Sequence, residues 1–278
     1  MTVSMKSDTG RNRLSGKIVR LARRRPLLTF YVITLLVSWP LGLLPFGPSL
    51  AALIAAALIG GRSEVKALLR RVAIWRVGVS WYAVALFGPI LLVAVAAAIN
   101  VALGATMPGG SQLSEWTGFG ALLLLQLAFG GPWEELGWRG FALPHLLDRW
   151  SALAASLILG CLWTVWHIPL FLGGTVPWAD AAVVLAVSIP FTAVFLKTRG
   201  SVLIAFLMHG SLNAAAGVVI PMFEGADRTR MYWSMAIVAA LLSVAIVMMG
   251  RRVWLSRSER TDPAALVAST TVARVASD

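Results

Sequence analysis

Runs of apolar residues long enough to cross a bilayer recur along this chain, and they restrict it to one kind of fold. About 20 consecutive apolar residues span the hydrocarbon layer as a helix. Counted on that basis, the segments are 27–46, 48–60, 80–103, 117–143, 151–172, 178–196, 201–221 and 231–250. The second is short and pairs with the first as a helical hairpin. In lipid every backbone N–H and C=O must be satisfied internally, so such segments become helices. The sequence therefore predicts an all-α, polytopic integral membrane bundle of about eight transmembrane helices. Composition agrees: 58% of the 278 residues are hydrophobic and only 13% are charged. A soluble domain carries roughly 25% charged residues, and disorder requires low hydrophobicity.

The net charge of +12 would suggest nucleic acid in a soluble protein. Here the distribution of Lys and Arg explains it, because cytoplasmic loops of membrane proteins are enriched in both. Residues 1–26 hold eight Lys or Arg and one Asp and read as a basic cytoplasmic tail. No small-residue cleavage site follows, so 27–46 reads as a first span rather than a signal peptide. The 61–79 segment, with Arg62, Lys66, Arg70, Arg71 and Arg76 against Glu64, reads as a basic amphipathic stretch on the membrane surface. With both termini cytoplasmic, all 24 basic residues except Arg228 and Arg230 fall on the inner side. The expected organisation is a tail (1–26), N-terminal transmembrane helices (27–116), a core (117–221), a last helix (222–250) and a polar cytoplasmic tail (251–278). The lone cysteine, Cys161, excludes an intramolecular disulfide and reads as a small buried hydrophobe.

An ionisable side chain within a span costs about 3 kcal/mol on insertion scales and marks a functional position. Such residues cluster in four places. Pro132-Trp133-Glu134-Glu135-Leu136-Gly137-Trp138-Arg139 carries two adjacent carboxylates, which diverge by about 100° on a helix and so have different tasks. Glu135 and Arg139 are spaced i,i+4 in the favourable order for an ion pair. Glu134 is left without that partner, as a general base requires. Alternatively, the pair is a charged helix end at the surface. His167 follows Trp163-Thr164-Val165-Trp166 in the fifth span, and could equally be a packing histidine. His209 and Asn213 share a face in the seventh span, with Gly210 and Ser211 permitting close helix approach; a polar helix clasp would look the same. Phe195-xxx-Arg199 closes the sixth span and reads first as an interfacial anchor.

Together, one carboxylate, two imidazoles and an amide could hold and deprotonate one water. They could also bind a divalent metal, since His and carboxylate are zinc ligands. Either leads to an activated water attacking a carbonyl.

The same residues resemble the CPBP family of intramembrane proteases, also called the ABI or CAAX amino-terminal protease family, to which the type II CAAX prenyl endopeptidases belong. Its pattern is EExxxR, FxxxH, an FxxxR-like element, then HxxxN or HxxxD. Here these stand as Glu134-Glu135-xxx-Arg139, Trp163-xxx-His167, Phe195-xxx-Arg199 and His209-xxx-Asn213. Trp163 replaces the usual Phe, aromatic for aromatic. The resemblance covers 117–221. It implies a peptide-bond hydrolase in which Glu134 and His167 activate water, and His209 and Asn213 stabilise the oxyanion or orient the water. Glu135 and Arg139 then support the site. Metal-bound and metal-free, glutamate-dependent routes have both been argued for the family. If zinc is used, its ligands would be Glu134, His167 and His209, and no HExxH pair is present. The partners implied are a membrane-associated peptide or protein and the bilayer, with no nucleic acid. Leader-peptide processing or cleavage of membrane-anchored regulators, at the plasma membrane, is the expected role. A non-catalytic scaffold or immunity protein, and a proton-coupled transporter, are the alternative readings.

Overall fold

The computed structural model describes residues 16–17, 19–41 and 45–256. Most of the N-terminal basic tail and nearly all of the C-terminal one lie outside the described residues. Nine helices of ten or more residues appear among those described: α1 (Pro26–Ser38), α2 (Gly47–Gly60), α3 (Arg62–Val72), α4 (Val79–Ala102), α5 (Phe119–Phe129), α6 (Ala152–Trp166), α7 (Ala179–Lys197), α8 (Val202–Val219) and α9 (Gly225–Met249). No strand occurs among the described residues.

Four segments are long and apolar enough to cross a membrane: Val79–Ala102, Ala179–Lys197, Val202–Met222 and Gly225–Met249. At the α-helical rise the 24 residues of α4 extend about 36 Å. Helices α1, α2 and α6 are apolar but shorter. The expected fourth span, 117–143, is not one helix. Its apolar start forms α5, which stops at Phe129 because Gly130-Gly131-Pro132 follows. Glycine is a weak helix former and proline is tolerated only in a first turn. The chain restarts as a short 3-10 turn, Gly131–Glu134, and then a π-helical turn, Leu136–Ala142. The fifth span is broken too: α6 ends at Trp166, His167 caps it, and Ile168–Leu172 makes a separate short turn starting with Pro169 near its N-terminus.

Helix α8 lies at the centre, packed against α4, α5 and α7, while α7 is flanked by α6 and α9. Helices α1 and α2 pair as the expected hairpin, and α2 lies against the π turn. That approach is close. A β-carbon on Gly137 would stand 2.5 Å from the Pro48 carbonyl oxygen. Hydroxyls supply polar glue between helices: Ser243 of α9 donates to the Ala186 carbonyl of α7 at 2.8 Å, and Ser211 of α8 donates to the Leu86 carbonyl of α4.

The outward faces are apolar. Val84, Phe87, Leu91 and Val95 form an exposed stripe at helical spacing on α4, as do Trp233, Ile237, Leu241, Val244 and Met248 on α9. Water would not tolerate patches of this extent on a monomer; lipid does. Cys161, expected to be buried, is exposed on α6. An apolar neighbourhood in the sequence does not separate core from lipid face, which is why that expectation fails.

Candidate active site

Both glutamates stand where the 3-10 turn passes into the π turn between α5 and α6, and the change in winding sends them in different directions. Glu134 Oε2 accepts from Trp163 Nε1 at 2.7 Å and from Trp138 Nε1 at 3.3 Å. Glu135 Oε1 accepts from Arg139 Nη1 at 2.8 Å and from His209 Nδ1 at 2.8 Å. The i,i+4 pairing expected from the spacing is thus present, and both partners are fully buried. The link from Glu135 to α8 was not legible in the sequence.

Arg139 is held by more than charge. Its guanidinium lies 4.4 Å from the ring centroid of Trp163 and 4.4 Å from that of Phe191. Its Nε and Nη2 have no hydrogen-bond acceptor, so the two rings are what they face. A desolvated cation between aromatic faces gains about 2 kcal/mol or more. Through Trp163 the two carboxylates are coupled, because the indole that stacks on Arg139 also donates to Glu134.

His209 has its Nδ1–H committed to Glu135, since an ionised carboxylate can only accept. Its Nε2 is therefore the free nitrogen. Glu134 has Oε2 committed to two indoles, which leaves Oε1. These two free atoms and Asn213 Nδ2 meet beside the Gly131 backbone. A β-carbon built on Gly131 would stand 2.7 Å from His209 Nε2, 2.7 Å from Asn213 Nδ2 and 3.1 Å from Glu134 Oε1. Three residues from two distant parts of the chain thus converge on one small volume. Asn213 Nδ2 also makes a long contact of 3.4 Å with Gln126 Oε1 on α5.

His167 is placed differently. Its Nδ1 pairs with the Trp163 carbonyl at 2.9 Å, a bond in which the ring N–H donates, so Nε2 is again the free nitrogen. Its ring packs against Trp163, with centroids 5.8 Å apart, and His209 lies 5.5 Å from the same indole. No hydrogen bond joins His167 to Glu134, His209 or Asn213. Among the described residues no group of three or more His, Cys, Asp or Glu side chains could hold a metal ion. Trp163 packs against both imidazoles.

Phe195 and Arg199 lie outside the cluster. Phe195 faces the Arg71 guanidinium at 6.0 Å, and Arg199, in a left-handed conformation with φ 58°, donates to the Arg76 carbonyl. Together they tie the end of α7 to the last turn of α3 and to the segment after it. The aromatic that enters the site is Phe191, one turn earlier, whose ring lies 5.8 Å from that of His209. Sequence reasoning missed Phe191, Trp138, Gly131 and Gln126. Only Gln126 carried a signal, as a lone amide in the run Leu122-Leu123-Leu124-Leu125-Gln126-Leu127.

A helical membrane bundle with a buried carboxylate–imidazole–amide centre is the class that fold and site define. Residues 116–215, which contain every member of that centre, match the family model described as Type II CAAX prenyl endopeptidase Rce1-like. The chain is also similar to CAAX prenyl protease 2 of Methanococcus maripaludis, with 27% identity over 145 residues, covering 45% of this chain and 54% of that protein. The chain thus matches about half the length of that relative. Both findings support the resemblance to the CPBP family over that stretch.

Proposed function

We propose that this chain is an intramembrane endopeptidase that hydrolyses a peptide bond of a membrane-associated substrate with a water activated by Glu134. The carrying observation is the convergence of Glu134 Oε1, His209 Nε2 and Asn213 Nδ2 within 3.1 Å of one point. Polar ends that all lie this close to one point are near enough to one another to share hydrogen bonds with a single water or carbonyl oxygen beside the glycine.

Each group then has a task set by its fixed partners. Glu134 takes a proton from the water as the water oxygen attacks the carbonyl carbon, and delivers it to the leaving nitrogen when the C–N bond breaks. Asn213 Nδ2–H donates to the oxygen that becomes negative. His209, held at Nδ1 by Glu135, orients the water through Nε2 when neutral and donates to the oxyanion when protonated. His167 brings a second free Nε2 to the same aromatic wall. Its role at the water, implied by the family resemblance, requires contact made in the substrate complex, where catalytic hydrogen bonds commonly tighten. Glu135 and Arg139 act by holding His209 and Trp163.

The distribution of basic residues supports a cytoplasmic location for both termini, with the plasma membrane as the host bilayer. The substrate class is a peptide anchored in or at the bilayer, such as a leader peptide or a membrane-bound regulator. The test is cleavage of such peptides by the purified protein in lipid, followed by mass spectrometry of the products. Cleavage at one bond, lost in Glu134→Gln, is expected. Equal cleavage by the parent and this variant would overturn the assignment of the base.

A further inference from the structure

We propose that Gly131 is a positioning residue of the reaction centre: the missing side chain at this position is what allows Glu134, His209 and Asn213 to meet. The inference rests on the peptidase reading. Backbone conformation does not explain the glycine. Gly131 is not among the residues with positive φ, and it precedes Pro132, a position where the chain is already restricted. An alanine there would reduce the freedom of the unfolded chain and so favour folding. What opposes a β-carbon is the identity of its neighbours. At Gly137 the obstacle is the Pro48 main chain, which cannot move without shifting α2. At Gly131 the three nearest atoms are Asn213 Nδ2, His209 Nε2 and Glu134 Oε1, all at the ends of rotatable side chains. A methyl group would be accommodated by driving these ends apart. The damage then falls on the chemistry and spares the fold.

The experiment uses the full chain in lipid nanodiscs, as parent, Gly131→Ala and Gly120→Ala. Gly120 has nothing within 4 Å of its β-carbon position and serves as the matched control. With three histidines in the chain, isotope-labelled imidazoles give three resolvable sets of nitrogen signals, assigned by His209→Gln. In Gly131→Ala the His209 signals are expected to move while those of His145 stay, with the unfolding temperature unchanged. Against a cleavable membrane peptide kcat is expected to fall about 100-fold, the scale of a small misplacement of catalytic groups, with KM within about threefold. Gly120→Ala is expected to match the parent in both measurements. Unmoved His209 signals would overturn the inference, as would full activity despite moved signals. If the parent cleaves nothing, the peptidase reading fails by itself, and the nitrogen signals still decide whether Gly131 sets the His209 position.

Discussion

At the scale of single residues, the two adjacent glutamates illustrate how one turn of backbone can produce opposite consequences for neighbouring substitutions. Glu134 faces indole N–H groups and the Gly131 backbone, whereas Glu135 sits in a closed arrangement with Arg139 and His209. Replacing Glu134 with Gln preserves its shape and keeps an acceptor for the Trp163 N–H. It removes the proton acceptor, so kcat is expected to fall about 10²–10⁴-fold, the range for a general base, with the unfolding midpoint within a few degrees. Replacing Arg139 with Ala leaves Glu135 as a buried, half-compensated anion and empties the space between Trp163 and Phe191. Breaking a buried pair in this way costs about 3–5 kcal/mol, so a large drop in thermal stability and in the yield of folded protein is expected. A scaffold that keeps these residues only for packing would show the second effect without the first. The Glu135–Arg139 pair was legible because i,i+4 spacing is a local rule. The tie from Glu135 to His209 was not, because 74 residues separate the partners and no local pattern encodes a crossing.

At the scale of elements, the site depends on where helices stop. Gly130-Gly131-Pro132 ends α5, and the chain resumes with 3-10 and then π winding; π turns recur at functional sites. A hydropathy count saw this stretch as one span because Trp, Leu, Gly and Pro do not interrupt an apolar run, although Gly and Pro do interrupt a helix. The same count could not choose between Phe191 and Phe195. Both belong to an apolar helix one turn apart, and only the packing of α7 on α6 and α8 decides which faces Arg139. The contact of α2 with the π turn yields a prediction of its own. Gly137→Ala places a methyl group against the Pro48 main chain, and overpacking of this kind costs about 1–3 kcal/mol. A lowered unfolding temperature is expected, measured by a thermal scan beside Gly131→Ala, which keeps its stability and loses its activity. Similar losses of stability in both would show that the two glycines serve the same purpose, and would remove the distinction between a packing glycine and a positioning one.

For the molecule as a whole, the flanks of the long helices are apolar and the ionisable cluster is buried within. The fold class was readable because the bilayer imposes a length and a composition on anything that crosses it. Burial was not, because a lipid-facing residue and a core residue are equally apolar; Cys161, exposed on α6, shows the failure directly. The exposed stripe on α9 can be checked by Leu241→Arg. A cation near the centre of a span costs about 2.5–3.5 kcal/mol on insertion scales, so less protein is expected in the membrane fraction. The orientation can be checked with single cysteines placed in a Cys161→Ser background at Met107 and Ser256, using an impermeant thiol reagent on intact cells. Labelling at position 107 and protection at 256 are expected, and the reverse pattern would invert the topology.

The proposed convergence of distant side chains on one reacting atom is most directly tested by a double-mutant cycle on kcat/KM for Glu134→Gln and Asn213→Ala. Groups that act as a unit are strongly non-additive, so the double variant is predicted to be within about threefold of the more impaired single variant. Losses that multiply would show that the two side chains act independently, and would contradict a common centre.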